Sequence, residues 1–458
     1  MTDTALPPVT LVILGASGDL THRLLLPGLG TLLTEKPYDV TLIGAAMAPL
    51  TDGEWKALVE AALKDAKLRP SRIEAVLAKT RYINVDVTNK DNWLALLPNL
   101  PENSVLYFAL PPAVTAKACQ VLATLDLPKG LKLALEKPFG TSLESAKELN
   151  HLLMSVVPEN QIFRVDHFLG KATVLNLLGI RFTNRIFEPI WDCGDIESVS
   201  IIVDETLGLE GRAGYYDNNG ALKDMIQSHL LLMMAIFAME EPASLDEREV
   251  RDLIAHTLRA TTLWTDDPVT SSRRARYTSG QIHGTQVPGY VEEPGVDPAK
   301  NTETLAEISL RINNSRWHDV KFTLHSGKAL GDERNGITVL FRPVPHIPTG
   351  FVDGDIARNV LWIGMKPVTL ALQVSTNVAS DRFKLESTVL SADLDDAPLR
   401  PYGEILDEIF EGDPLLSVRG DIAEECWRIV EPVLDAWEKN LVPMDEYTAG
   451  WAGPNAWR

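Results

Sequence analysis

The chain has 458 residues, a length that predicts about two domains. Of these residues 45% are hydrophobic and 23% are charged, a composition typical of globular proteins. Its 43 basic and 63 acidic side chains give a formal net charge of −20, which argues against nucleic acid or an anionic membrane as the main partner. A phosphorylated ligand would therefore need locally placed cations.

The three cysteines are widely spaced and fit no metal motif, so we expect reduced thiols in a cytoplasmic protein and no metal site. No basic region precedes the first apolar run, and we expect no signal peptide. The longest apolar run, residues 230–239, is half a membrane span and predicts a buried helix.

Up to about residue 166, apolar runs typical of strands alternate with helical patterns such as residues 142–157. The candidate strands are 10–14, 40–44, 81–85, 105–110, 131–135 and 161–165. Strands separated by helices predict a parallel sheet. The fold class predicted for this N-terminal part is therefore α/β, with a Rossmann-like, doubly wound parallel sheet.

After about residue 195, strand-like runs follow one another with short connections. They cover 198–203, 304–312, 319–324, 336–341, 359–364 and 369–374. This pattern predicts an α+β domain with a large, mostly antiparallel sheet packed against helices such as 221–239 and 246–260. Residues 280–302, rich in glycine, proline and acidic residues, predict a long surface loop.

The first predicted strand leads into Gly15-Ala-Ser-Gly18-Asp-Leu20, and Arg23 follows in a predicted helix. Glycines at a strand-to-helix turn let the backbone approach a pyrophosphate, which the helix N-terminus stabilises. The spacing is G-x-x-G instead of G-x-G-x-x-G. A plain tight turn is therefore the alternative to a dinucleotide site.

Two further strands end in charged residues. Lys137 follows the fifth strand in Glu136-Lys-Pro-Phe-Gly140, and Asp166, His167 and Lys171 follow the sixth. The carboxyl ends of parallel strands meet at one edge of the sheet, where open α/β sheets bind ligands. The alternatives are a surface lysine beside an ordinary proline, and an Asp166 that only caps the next helix.

Asp224 and His229 fall on one predicted helix after the turn Asp217-Asn-Asn-Gly220. At about 100° per residue in an α-helix, they lie roughly 140° apart. Both would line a site only if the ligand lay along the flank of that helix. A histidine paired with a carboxylate is a usual general base, although a histidine satisfied within the core is the alternative.

In this order, these motifs resemble the glucose-6-phosphate dehydrogenase family, and the resemblance covers nearly the whole chain. It includes GRAGYYDNNGALKDMIQSH, VPGYVEEPGV, RWHDVKFTLHSGKAL and a closing YTAGWAGP. It implies a dinucleotide-binding domain over residues 1–166 and a substrate-binding and oligomerisation domain over 167–458. It also implies oxidation of glucose 6-phosphate to the 1,5-lactone, the first step of the pentose phosphate pathway, by a homodimer or homotetramer.

The resemblance assigns roles residue by residue. His229 matches the base that takes the proton from the anomeric hydroxyl, and Asp166 matches the carboxylate that orients it. His167 and Lys171 match residues that hold the sugar phosphate. Lys137 matches a lysine that contacts both substrate and cofactor.

The resemblance also implies residues for the sugar and the nucleotide. Glu205, Asp224 and Lys328 match residues that bind the sugar hydroxyls. The implied cofactor-binding residues, besides Lys137, are Gly15, Ser17, Gly18, Asp19, Leu20 and Arg23. The cofactor that the resemblance implies is NADP or NAD.

Three positions depart from the family pattern. Phe168 stands where a tyrosine hydroxyl helps to hold the phosphate, and Lys366 stands where a glutamine commonly contacts the sugar. Met47 stands where an arginine meets the 2′-phosphate of NADP, so we expect relaxed selectivity between NADP and NAD. The alternative functions are a dehydrogenase of a related sugar phosphate and a regulatory homologue without turnover.

Overall fold

The computed structural model describes residues 8–351, 358–395 and 397–457. The chain forms two compact units. Unit 1 is Met1–Lys171 with two later segments, Pro242–Asp252 and Ala397–Glu424. Unit 2 is Ala172–Glu241, Leu253–Asp396 and Glu425–Arg458.

Unit 1 contains a six-stranded sheet in which all neighbours are parallel. Its strands are β1 (Val9–Leu14), β2 (Val40–Ala46), β3 (Thr80–Asn84), β4 (Val105–Phe108), β5 (Lys132–Glu136) and β6 (Ile162–Val165). The order β3-β2-β1-β4-β5-β6 is that of a doubly wound dinucleotide-binding fold. The prediction of a Rossmann-like parallel sheet is confirmed.

The α-helices of both units, in chain order, are α1 (Leu26–Glu35), α2 (Asp52–Asp65), α3 (Pro70–Ala78), α4 (Lys90–Leu96), α5 (Pro112–Leu122), α6 (Leu143–Val156), α7 (Ala172–Thr183), α8 (Ala213–Tyr216), α9 (Leu231–Ala238), α10 (Glu247–Ala260), α11 (Pro401–Glu411) and α12 (Gly420–Glu438). A π-helical turn, Thr21–Leu25, precedes α1, and a π-helix, Leu222–Leu230, precedes α9. Every residue of α9 is buried, as predicted for this apolar run. Among the described residues, no helix is long and apolar enough to cross a membrane.

The inner strands of unit 1 are apolar on both faces, as expected for a sheet that is covered on both sides, whereas the edge strand β3 is partly exposed. All six residues of β1 are buried. Leu11 and Ile13 belong to one core cluster, which includes residues of α1, α2 and α11, whereas Val12 and Leu14 belong to the cluster on the other face. The alternation follows from the two-residue period of a strand.

Unit 2 contains a ten-stranded mixed sheet and a separate two-stranded hairpin. The strands are β7 (Ile196–Asp204), β8 (Thr261–Leu263), β9 (Ser272–Thr278), β10 (Gly280–Ile282), β11 (Thr285–Val287), β12 (Leu305–Ile312), β13 (Lys321–Gly327), β14 (Asn335–Phe341), β15 (Val360–Met365), β16 (Val368–Val378), β17 (Asp381–Asp393) and β18 (Met444–Thr448).

The large sheet has the order β17-β16-β15-β14-β7-β13-β12-β9-β18, and β8 also pairs with β12. Its pairs are antiparallel except β7 with β13 and β9 with β18, so the predicted mostly antiparallel sheet is confirmed. The segment 280–302 differs from the predicted plain loop, because β10 and β11 form a hairpin within it. A glycine at 284 with φ of 85° makes the tight turn between these strands.

Candidate active site

The glycine-rich turn follows β1 directly. Gly15 has a φ of 92°, and a Cβ there would lie 2.2 Å from the carbonyl oxygen of Ala109. Its N–H donates to the Ala45 carbonyl at 2.8 Å, and its carbonyl accepts from the Thr21 hydroxyl at 3.2 Å. The turn is thus tied by hydrogen bonds to the end of β2 and to the π-helical turn that follows. Its geometry suits a backbone that approaches a pyrophosphate closely.

The side chains near this turn carry little positive charge. Arg23 forms an exposed ion pair with Asp19 at 3.3 Å, an arrangement that water screens strongly. Met47, just after β2, is 71% exposed. Residues 45–48 are Ala, Ala, Met and Ala, so this stretch offers neither a cation nor an acid to the adenosine ribose of a nucleotide.

Glu136 and Lys137 lie at the carboxyl end of β5, and the Lys137–Pro138 peptide bond is cis. The Tyr107 hydroxyl donates to Glu136 at 2.5 Å. Burial raises the pKa of Glu136 to about 7, although Tyr107, Tyr402 and Lys137 all favour its charged form. A carboxyl that titrates near neutrality therefore lies next to the lysine assigned to substrate and cofactor.

Asp166, His167 and Lys171 lie in the turn after β6. Asp166 is fully buried and accepts a hydrogen bond from the Phe168 N–H at 3.0 Å, so it also stabilises the turn. The His167 ring stacks on Tyr402 with centroids 5.8 Å apart. The Lys171 ammonium lies 3.2 Å from the Phe168 ring centroid, a cation–π contact. Unit 1 thus holds a carboxylate, an imidazole and an ammonium within one short turn.

Glu205 and Lys328 form an ion pair in unit 2. Lys328 is buried, and its ammonium lies 5.1 Å from the ring centroid of Tyr216. The Tyr447 hydroxyl donates to the Lys328 carbonyl at 2.6 Å, which fixes the backbone of this lysine. Two residues assigned to the sugar hydroxyls are therefore held together by their own contacts.

Asp224 and His229 lie on the π-helix Leu222–Leu230. The expected angle of about 140° between the two side chains assumed α-helical geometry. That angle does not apply here, because the segment is a π-helix. Hydrogen bonds in a π-helix join residues i and i+5, so residues five apart lie nearly above one another. Asp224 accepts from the Tyr215 hydroxyl at 3.1 Å, and His229 is buried.

Lys366 lies apart from these groups. It is 77% exposed, and its ammonium is 3.5 Å from Glu333. An exposed lysine with such a partner has the contacts of an ordinary surface ion pair. Nothing in its surroundings explains why a lysine stands there in place of the glutamine that is common in the family.

Several tyrosines contact the assigned residues, although the motifs gave these tyrosines no role. Tyr107 and Tyr402 contact Glu136, and Tyr215, Tyr216 and Tyr447 contact the sugar-assigned residues of unit 2. The pair Tyr215-Tyr216 directly follows the Gly-Arg-Ala-Gly motif, which was a usable signal. Tyr402 begins an ordinary amphipathic helix, and its sequence neighbours offer no such signal.

Comparisons with known proteins agree over the whole chain. Residues 12–176 match the family model of the glucose-6-phosphate dehydrogenase NAD binding domain, and residues 178–458 match that of the glucose-6-phosphate dehydrogenase C-terminal domain. The chain belongs to the glucose-6-phosphate dehydrogenase family. The resemblance inferred from the motifs is confirmed.

Individual relatives support the family assignment. Glucose-6-phosphate 1-dehydrogenase of Gluconobacter oxydans is 38% identical, with coverage of 98% of this chain and 94% of the relative. The Treponema pallidum protein of the same name is 36% identical, with 98% and 92% covered.

Solved structures of the family have the same fold. The enzyme from Mycobacterium avium superposes with a TM-score of 0.85 at 32% identity, over 99% of this chain and 96% of that one. A glucose-6-phosphate dehydrogenase in complex with its substrate glucose 6-phosphate gives 0.89 at 27% identity, with the same coverage.

Proposed function

We propose that this chain oxidises the anomeric carbon of glucose 6-phosphate, with NADP or NAD as the hydride acceptor, and releases 6-phosphoglucono-1,5-lactone. The observation that carries the proposal is the match of both family models, which together span residues 12–458 with only residue 177 between them. The matched residues for proton transfer, His229 and Asp166, are present, and so are those for the phosphate and the sugar except at two positions, where Phe168 and Lys366 replace a tyrosine and a glutamine.

His229 is the general base for the anomeric hydroxyl. Its imidazole removes the hydroxyl proton, and Asp166 stabilises the imidazolium that results. The buried positions of both side chains support these roles, because charge interactions are stronger away from water. When bound, the nicotinamide ring accepts hydride from the anomeric carbon.

His167 and Lys171 hold the sugar phosphate. Two cationic or hydrogen-bonding groups in one turn match the charge of a phosphate dianion, which the overall charge of −20 would otherwise repel. Tyr402 supports His167 by stacking on its ring, and Phe168 supports Lys171. Phe168 thus contributes a cation–π contact where the family pattern has a tyrosine hydroxyl.

Glu205, Lys328 and Asp224 hold the sugar hydroxyls. The carboxylates accept hydrogen bonds from hydroxyl groups, and the ammonium donates one. The ion pair between Glu205 and Lys328 orients both side chains before substrate binds. Preorganised polar groups of this kind lose little conformational entropy on binding.

The turn at Gly15 and Gly18 holds the cofactor pyrophosphate, with Ser17, Asp19 and Leu20 supplying backbone or side-chain contacts and Arg23 supplying a positive charge. Lys137 contacts both the cofactor and the substrate. The fit rests on the positive φ of Gly15 and the space that only a glycine leaves there. Because residues 45–48 are uncharged, the enzyme discriminates weakly between NADP and NAD.

The enzyme is a cytoplasmic homodimer or homotetramer that associates through the large sheet of unit 2. The hairpin of β16 and β17 supports this, since Phe383, Val389 and Leu390 are each more than half exposed. Exposed apolar side chains on one hairpin are typical of an association surface. Light scattering after size-exclusion chromatography tests it, and a monomer at micromolar concentration would contradict it.

A substrate panel tests the proposed activity. Glucose 6-phosphate, free glucose and other hexose phosphates are each supplied with NADP and with NAD, and reduced cofactor is followed by absorbance. We expect glucose 6-phosphate to have the highest kcat/KM with either cofactor. A preference for another hexose phosphate would assign a related dehydrogenase, and absence of turnover with every pair would favour the regulatory alternative.

A further inference from the structure

A buried histidine lies between two carboxylates in the centre of the large sheet. His325 is on β13, between β7 and β12. Its Nδ1 is hydrogen-bonded to a Glu307 oxygen at 3.1 Å. Its Nε2 lies 3.2 Å from an Asp204 oxygen, which is ion-pair distance without hydrogen-bond geometry. Only an imidazolium carries N–H groups on both nitrogens, so carboxylates on both sides match the protonated ring.

Each carboxylate also has cationic neighbours of its own, and His325 lies between the two carboxylates. Arg334 donates to the second oxygen of Asp204 at 2.7 Å. Arg273 lies 3.9 Å from Glu307, and Lys321 also acts on Glu307 electrostatically. The Trp457 ring covers the imidazole edge-on, with centroids 6.4 Å apart.

His325 and Asp204 join the ends of the two strands that carry the sugar-assigned ion pair. Asp204 is the last residue of β7 and pairs in register with Gly327 of β13. The next residue, Glu205, donates its N–H to the Gly327 carbonyl at 2.8 Å. Lys328 follows Gly327 and forms its ion pair with Glu205.

We propose that protonated His325 is a positioning residue for Glu205 and Lys328, and that loss of its proton weakens substrate binding at alkaline pH. The inference rests on the proposed function, because it concerns how the sugar hydroxyls are held. A neutral imidazole can donate to only one of its two carboxylates. If the remaining proton stays on Nδ1, which is hydrogen-bonded to Glu307, the buried Asp204 loses its charged partner on Nε2, and the strand ends lose their common anchor.

The direction of titration agrees with this geometry. Burial by itself lowers the pKa of His325, but Asp204 and Glu307 outweigh burial and raise this pKa to about 9. The pKa of Glu307 is lowered, since His325 and nearby cations outweigh its burial. His325 is therefore charged at neutral pH and loses its charge as the pH rises through about 9.

The test measures KM and kcat for glucose 6-phosphate against pH, in the wild type, in three variants of the His325 site and in one control variant. The phosphate has a second pKa of about 6 and does not titrate in the alkaline range. For the wild type we expect KM to rise roughly tenfold above about pH 9 with little change in kcat, as for loss of an interaction common to ground and transition states. His325→Arg keeps a permanent charge and should move the rise to higher pH.

Glu307→Gln removes one carboxylate and should move the rise in KM to lower pH by about one unit. His325→Gln should raise KM at all pH values. His318→Gln is the matched control, because His318 is 78% exposed and lies beside Asp319. We expect the control to keep the wild-type profile.

The outcomes separate this inference from the proposed function. Calorimetric binding of glucose 6-phosphate across the same pH range adds a readout that needs no turnover. Turnover with the same alkaline profile in wild type and His325→Arg would overturn the role of His325 and leave the activity intact. The wild type could instead show no turnover while its affinity for glucose 6-phosphate still falls above about pH 9, and this fall could begin at a higher pH in His325→Arg. That result would overturn the activity alone.

Discussion

Asp224 and His229 lie five residues apart on a π-helix, so that their side chains leave the helix on nearly the same side. In an α-helix the same spacing would separate them by about 140°. The wider turn of Leu222–Leu230 changes this relationship without any change of sequence spacing. Short π-helical segments occur frequently at functional sites. Here the segment lets one helix present both a sugar-assigned carboxylate and the proposed base.

Replacing His229 by asparagine should lower kcat by at least about 10²–10⁴-fold, the usual contribution of a positioned general base. KM for glucose 6-phosphate should stay within a few-fold, since the phosphate and hydroxyl contacts remain. Steady-state kinetics with saturating cofactor measures both constants. His256→Asn, at an exposed position on α10, is the control for the substitution itself. Near-normal turnover in His229→Asn would exclude this residue as the base.

Lys171→Ala should raise KM for glucose 6-phosphate much more than it lowers kcat. A lysine at a phosphate stabilises ground and transition states alike. Its removal therefore weakens substrate binding without changing the barrier from bound substrate to transition state. Lys117→Ala, an exposed position on α5, removes the same charge from the surface and should leave KM unchanged. An unchanged KM in Lys171→Ala would place the phosphate elsewhere in the chain.

Met47→Arg should shift preference toward NADP. The side chain at 47 is 71% exposed just after β2, where a cation reaches a 2′-phosphate. The measurement is the ratio of kcat/KM for NADP to that for NAD. Met154→Arg adds the same charge at an exposed position of α6 and should leave the ratio unchanged. A wild-type ratio above about a thousandfold, some 4 kcal/mol, would show that another cation already recognises the phosphate.

Gly15→Ala should lower the midpoint of thermal unfolding and raise KM for either cofactor. The positive φ alone costs a non-glycine residue about 1–3 kcal/mol, and the new Cβ would meet the Ala109 carbonyl at 2.2 Å. Gly53→Ala is the control, since only the Thr51 hydroxyl at 3.9 Å faces its Cβ within helix α2. That variant should be slightly more stable with an unchanged KM. Equal behaviour of the two variants would contradict the role of the Gly15 turn.

The sequence predicts the fold of unit 1 well because most of its strands are buried on both faces and all are separated by helices. It predicts unit 2 less completely. The strands β9 and β18 have mixed polar sequences, and their parallel pairing joins segments far apart in the chain. Helix α11 packs into the core of unit 1, but its amphipathic pattern specifies a buried face without specifying the partner.

The candidate site shows the same division between local and long-range information. Gly15, Lys137 and Asp166 follow strands directly, so a strand prediction suffices to place them at one sheet edge. Tyr402 contacts His167 across more than two hundred residues of sequence, and no local pattern predicts that contact. The π-helical geometry around His229 is likewise missed, because an apolar helix pattern does not distinguish α from π hydrogen bonding.

The most direct test of the central claim uses glucose 6-phosphate that carries deuterium on its anomeric carbon. The reaction is run with NADP or NAD, and the reduced cofactor is isolated and examined by NMR and mass spectrometry. If the chain transfers hydride from that carbon, the reduced nicotinamide carries the deuterium and the sugar product is the 6-phosphate lactone or its hydrolysis product. Reduced cofactor without deuterium, or no reduced cofactor at all, would contradict the account.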